Sequence, residues 1–201
     1  MDTSIVLAVD ADDPELPAYR RLSWDGFGPM VATVVLSPEE TGDLVRATNT
    51  VSMRIAGEDP TTIIGNLGDD HVARTHAWDT AVLDALAEPG IAYGDDKLAG
   101  ERVPTAPFIS ARIVLALGWY ALPTCRHLYI DDAWRDIGQA IGRLHYLPDM
   151  VIEHRHPLAG KASRDAGYER ADASAMADMA AYLTWTENGR TDDVGRVLAA
   201  L

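Results

Sequence analysis

The sequence predicts an α/β fold: an open, mostly parallel sheet flanked by helices, with a helical tail at its C-terminal end. Three observations carry that expectation. The apolar runs are short and rich in β-branched residues, and they alternate with longer amphipathic stretches. The alternation stops near residue 165, beyond which Ala, Asp and Met recur at helical spacing. Residues 1–164 therefore read as one sheet-bearing domain and 165–201 as the tail, in a chain long enough to bury a substantial core.

Taken in order, Ser4–Val9 is an apolar strand and Pro14 opens a helix. Val31–Leu36 is the second strand. Ser37, Pro38, Glu39 and Glu40 then supply an N-cap, a proline at the first helical position and two first-turn acids, which predicts a helix from Pro38. Thr61–Leu67 is the third strand, and a helix begins at Ala77. Ile91–Tyr93 is a strand, a helix starts at Ile109, and His127–Ile130 reads as a strand feeding a helix at Asp131. Arg143–Leu147 and Met150–His154 read as two further strands. Asp165 opens the tail helix, and Asn188-Gly189 breaks it before a short last one. The tail is expected to pack on the sheet or on another subunit.

Charge narrows the partners. Acids outnumber bases by 31 to 17, a formal charge of −14, which argues against binding a nucleic-acid backbone. A small anionic substrate would be repelled too, unless a cation bridged it to the protein. No apolar stretch approaches the roughly 20 residues of a membrane span. The start lacks a basic leader, and the single Cys125 cannot form an internal disulfide, so the expected location is a reducing cytoplasm.

Polar clusters stand where strands are predicted to end: Asp10; Asp69, Asp70 and His71; and Glu153, His154 and His156. In a parallel sheet those ends share one edge, where ligands bind. Asp and His together suit Mg²⁺ or Mn²⁺. On a strand, His154 and His156 are two residues apart and face the same side. Asp131 and Asp132, at a strand-to-helix passage, offer a general base. Each cluster also has a plainer reading. Asp10 can open an Asp-rich turn, Asp69-Asp70 can cap the helix around Trp78, Asp131-Asp132 can cap their own helix, and a lone histidine can simply be hydrogen-bonded. Trp78, Trp119 and Trp134 fit a sugar-stacking surface or the core. Lys97 and Lys161 fit phosphate contacts or ordinary exposed lysines.

The order of motifs VDADDPE, GDDHVARTHAWD, AYGDD, PTAPFISARIVLALGW, HLYIDDAWRDIG and YLPDMVIEHRHPLAGKA, from about Ile5 to Tyr168, resembles small glycosyltransferases of the Rossmann-like GT-A fold. These are related to family 2 and occur in actinobacteria and their phages. The resemblance implies metal-dependent transfer of a sugar, with inversion, from a nucleotide-sugar donor to the hydroxyl of a protein, glycan or small-molecule acceptor. It implies that GDDH is a DXD-type element, with Asp70 a direct ligand of Mn²⁺ or Mg²⁺ and Asp69 near the ribose or the metal. Asp10 would bind the nucleotide base, with Arg46 and Asn49 beside the nucleotide. Asp131 or Asp132 would supply the catalytic base, and His154 or His156 would complete the metal coordination.

The family places a further strand before its base-binding aspartate, whereas nine residues precede Asp10 here. Ser4–Val9 is therefore expected to be an edge strand, covered by a second copy, by a partner strand, or by the C-terminal helix bearing Met176, Met179 and Leu183. The same departure opens a second reading, a non-catalytic GT-A-like binding or assembly module. A metal-dependent phosphohydrolase using the same Asp and His residues is a third.

Overall fold

The computed structural model describes residues 3–19, 31–37, 42–157, 160–161 and 166–201. The chain is α/β, and its strands fall into two sheets. In the smaller one, Ile5–Val9 (β1) runs parallel to Val31–Val35 (β2), Ile5 opposite Val31 and Val9 opposite Val35. The short helix Leu16–Tyr19 (α1) lies between them in sequence. The larger sheet contains Ile63–Gly65 (β3), His71–Ala73 (β4), Ile91–Asp95 (β5), Phe108–Ser110 (β6) and Leu144–His154 (β7). Their spatial order is β3-β6-β5-β7-β4.

The expectation of a mostly parallel sheet is corrected here. In the larger sheet only β5 and β7 run parallel; β3–β6, β6–β5 and β7–β4 are antiparallel. The physical reason lies in the connections. A parallel neighbour needs a crossover, usually helical, of a dozen or more residues. Between β5 and β6 the chain makes only an irregular excursion with a 3₁₀ turn at Gly100–Arg102, and it returns antiparallel.

The helices are Leu44–Glu58 (α2), Trp78–Ala85 (α3), Ala111–Leu117 (α4), Ile130–Ala140 (α5), Ala166–Asn188 (α6) and Arg190–Ala200 (α7). The predicted start at Pro38 falls on residues 38–41, outside the described ones. The described helix begins at Leu44, where Asp43 Oδ1 accepts the Arg46 N–H at 2.9 Å.

Two strand expectations change. His127–Ile130 makes no ladder. The N–H groups of Arg126, His127 and Leu128 instead donate to the Asp178 carboxylate of α6, at 2.9, 3.0 and 2.9 Å, and Ser174 Oγ adds a fourth bond at 2.9 Å. Burial opposes ionisation of Asp178, but these donors outweigh it and hold the carboxyl below its ordinary range. The two strands expected over Arg143–Leu147 and Met150–His154 are one. β5 advances from Gly94 to Asp95 while β7 advances from Leu147 to Val151, so Pro148-Asp149-Met150 bulges out. Gly94 is required there, because a Cβ would sit 2.2 Å from the Met150 carbonyl oxygen.

The principal core lies among the helices. Ile113 and Val114 of α4 and Trp134 and Ile137 of α5 pack with Trp119, Tyr120, Trp185 and Val197. Trp185 and Val197 belong to α6 and α7, so the tail shares the core of the sheet-bearing region. Trp134 Nε1–H donates to the Tyr120 carbonyl at 2.6 Å, and Trp185 Nε1–H to Asp193 at 2.7 Å. Trp119 and Trp134 are thus core residues, while Trp78 leans on Phe108 at 5.2 Å between centroids. A second cluster, with Val82, Leu86, Phe108, Met150 and Ile152, lies under α3.

Among the described residues β1 has one strand partner, β2. Met176 and Leu183 do not bury themselves as a cover for it: they are 73% and 50% exposed. No described helix is long and apolar enough to cross a membrane.

Candidate metal centre

The strands β4 and β7 pair antiparallel, and their register sets His71 opposite His154. Their imidazoles stack at 4.3 Å between centroids and 20° between planes. The turn that delivers His71 carries Asp70, and its backbone is tied to β7's end by Arg155 N–H donating to the Asp70 carbonyl at 2.8 Å. One carboxylate then reaches both rings. Asp70 Oδ1 lies 3.3 Å from His71 Nδ1, and Asp70 Oδ2 lies 3.1 Å from His154 Nε2. Gly68 lets the turn close this tightly: a Cβ there would stand 2.8 Å from Asp70 Oδ1, and its N–H donates to His71 Nδ1 at 3.0 Å.

One ligand atom from each of Asp70, His71 and His154 lies within 4.8 Å of the other two. The His71 side chain is 6% exposed. His71 Nε2 and His154 Nδ1 are buried with no hydrogen-bond partner. Leaving such atoms unpaired is costly, and buried unpaired nitrogens call for a ligand, an ion or water. Two imidazoles and a carboxylate suit a borderline divalent ion such as Zn²⁺ better than a purely oxygen-seeking one such as Mg²⁺, with Mn²⁺ between them in its tolerance of imidazole. The residues present fit a divalent cation on both counts.

The neighbouring loop braces this centre. The Asp96 carbonyl accepts the His154 N–H at 2.9 Å. Its buried carboxylate accepts the N–H groups of Leu98, Ala99 and Gly100 on Oδ1 and the Thr105 hydroxyl on Oδ2. Burial opposes ionisation of Asp96, yet the four donors prevail and its pKa is lowered. Glu153, next to His154, is gripped by Lys161 Nζ at 2.8 Å and Arg74 Nη2 at 2.7 Å, which hold it down at about 2. Arg155 follows His154, exposed, and makes no side-chain ion pair with a described residue.

The sequence-derived candidates distribute as follows. Asp70 and His154 come together, and His71, which the sequence places in the same cluster without a ligand role, takes the third position. Asp69 stands exposed in the turn. His156 lies beyond the end of β7, so the alternation that would put it on His154's side does not apply. Its ring instead meets His154 edge-on at 5.0 Å. Asp10 follows β1 and accepts the Gly42 N–H at 3.2 Å. Arg46 is exposed in the first turn of α2. Asn49 fastens α2 to the chain after α4: its Oδ1 accepts from Tyr120 and Ala121 N–H, and its Nδ2 donates to the Ala121 carbonyl. Asp131 and Asp132 occupy the first turn of α5. Asp132 is paired with Arg135 at 2.6 Å. Burial, and then the adjacent Asp132 charge, push Asp131 up to about 6. Lys97 is paired with Asp95 at 2.6 Å and Lys161 with Glu153, so both lysines already have carboxylate partners.

The β4 strand and the role of His71 were not legible beforehand, because three residues carry no periodicity of their own. The nearest signal in the sequence is the adjacency of Asp70 and His71. Compared with protein-family models, curated proteins and solved structures, the chain matches none of them.

Proposed function

We propose that the protein is a divalent-metal-dependent glycosyltransferase that uses a nucleotide-sugar donor. The observation that carries this reading is the Asp70–His71–His154 group, with its buried unpartnered imidazole nitrogens at the end of β7. The order of motifs along the chain supplies the reaction class. A bound cation would screen a diphosphate from an acidic protein and stabilise the charge that develops on it as it leaves.

The chain's own residues have separable tasks. Asp70, His71 and His154 would hold the ion. Asp96 and Glu153 hold the strand end that presents His154. Arg74, Arg155 and Lys161 bring positive charge to this end of a chain whose formal charge is −14. Asp131 serves as the base that takes the acceptor's hydroxyl proton, because Asp132 is already engaged by Arg135.

Calorimetry with UDP-, GDP- and TDP-sugars, with and without Mn²⁺, tests the reading. Metal-dependent donor binding followed by sugar transfer is expected. Release of phosphate without transfer would replace the proposal with hydrolysis, and no donor binding at all would leave a non-catalytic module.

Asp131 gives a pH-resolved prediction. Its folded pKa of about 6 lies above the ordinary 3.8. The folded state therefore keeps a proton that the unfolded chain has released. That contribution to stability is fully present below the unfolded value and is lost as pH rises through about 6. Asp131→Asn retains the acceptor oxygen for the Asp132 N–H and carries no charge. It is expected to raise Tm at pH 7.5 with little change at pH 3.5, and to lower turnover by roughly 10²–10⁴ with donor affinity kept. Unchanged turnover would remove Asp131 from the mechanism.

A further inference from the structure

A groove of about 630 Å³ lies away from the metal centre's ligands, between β5, β7, the 3₁₀ turn and the C-terminal end of α5. Tyr93 and Tyr146 form one wall, their rings 5.3 Å apart and tilted by 43°. They are neighbours because β5 and β7 run parallel with Tyr93 opposite Tyr146. Tyr93 OH is committed to the Glu101 carbonyl at 2.8 Å, which fixes its ring. Leu144 and Pro148 add apolar surface.

Three polar groups that line this groove make no hydrogen bond to a described residue: the Tyr146 hydroxyl, the Gln139 amide and the Glu101 carboxylate. Each offers something different. The amide both donates and accepts, the carboxylate accepts, and the phenol donates. Burial, Asp95 and Glu101 push the Tyr146 pKa up, so its hydroxyl keeps its proton at neutral pH. A few unpaired polar groups converging beside aromatic surface are the usual composition of a ligand site.

From this lining we infer that the groove binds a neutral, hydroxyl-rich ligand of the saccharide class. A sugar ring offers an apolar face to an aromatic side chain and hydroxyls that both give and take hydrogen bonds. An anionic ligand would meet Glu101 and the nearby Asp95 in a chain of charge −14. A quaternary amine would suit the rings and the carboxylate, but it would leave the Tyr146 and Gln139 donors without an acceptor. The saccharide satisfies all three groups. Tyr146 in the groove wall feels the charges of the Asp95–Lys97 loop, whose Asp96 carbonyl accepts the His154 N–H. The inference needs no metal.

Saturation-transfer NMR on the full chain without added metal, using maltose, cellobiose and lactose, is the direct test, with choline as the competing chemistry. Transfer to the ring protons of at least one disaccharide is expected. Tyr146→Ala is expected to weaken that binding by roughly tenfold. Gln139→Ala, at an exposed helix position, and Tyr146→Phe, which removes only the hydroxyl, guard against a loss that merely reflects unfolding; each is expected to weaken binding in a chain with wild-type Tm. No transfer to any of the three sugars, or transfer that all three variants leave unchanged, overturns the inference. Binding of choline with no sugar binding overturns it in favour of an amine site. Because no metal is present, failure here leaves the cation-dependent donor binding to be judged by its own calorimetry.

Discussion

Asp70→Ala is expected to abolish divalent-cation binding, lowering affinity by more than about 100-fold, since losing even a residue that only supports a ligand costs 10–100-fold. Asp70 is the one group of the three that faces both rings, 3.3 Å from His71 Nδ1 and 3.1 Å from His154 Nε2. Without it two stacked imidazoles remain, with no negative charge to offset the ion's desolvation. The fold should survive. The Asp70 side chain is 22% exposed in a turn, its backbone bond to Arg155 does not need the carboxylate, and no core cavity opens. Calorimetric titration with Mn²⁺ and Zn²⁺, beside a melting curve, separates the two effects. His71→Ala should behave similarly. Retained affinity in both variants would end the metal reading, and with it the proposed role of the centre.

The largest expected stability effect lies far from that centre. Asp178→Ala is predicted to destabilise the protein by about 3 kcal/mol, because three backbone N–H groups and the Ser174 hydroxyl lose a charged acceptor at once. At this chain length that corresponds to a fall in Tm of roughly 6–12 °C. The pH dependence has a definite sign. The folded pKa of Asp178 lies below its ordinary 3.8, so its contribution is present above that value and fades as pH falls through the depressed folded pKa. The gap in Tm between wild type and Asp178→Ala should therefore be widest near neutral pH and close in acid. Asp178→Asn, which can still accept on one oxygen, should fall between them. Thermal melts from pH 2 to 7 check all three, and a gap that did not close in acid would mean that the carboxylate's charge is not what holds the loop.

What could be read in advance follows how local each signal is. β1, β2 and β3 are visible because their β-branched runs need no knowledge of neighbours, and β5 because Ile91-Ala92-Tyr93 is apolar. The helical tail is visible for the same reason. His127–Ile130 looks like a strand by composition, yet its backbone donors are claimed by Asp178, some 50 residues on, and nothing local announces that. β4 and β6 have three residues each and exist only through pairing with β7 and with β3 and β5. Strand direction depends on the connections, so an alternation of apolar runs and helices could not tell a parallel sheet from this mixed one. At the centre, Asp70 and His154 were recognisable as chemistry-bearing residues at strand ends. That they meet depends on the β4–β7 register, which also substitutes His71 for His156.

The bulge at Pro148-Asp149-Met150 divides β7 into two segments with separate duties. The first carries Tyr146 beside β5, and the second carries His154 beside β4. Alternation along a strand has a period of two, so the number of residues in the spacer fixes the phase of the second segment relative to the first. Removing one residue would turn His154 toward the opposite face and bring Arg155 round to Asp70, while Tyr146 kept its place. Removing two would restore the face but shift the histidine along β4 by two positions. The spacer thus acts as a vernier between the groove and the metal centre, and natural or engineered length changes there would alter one without touching the other.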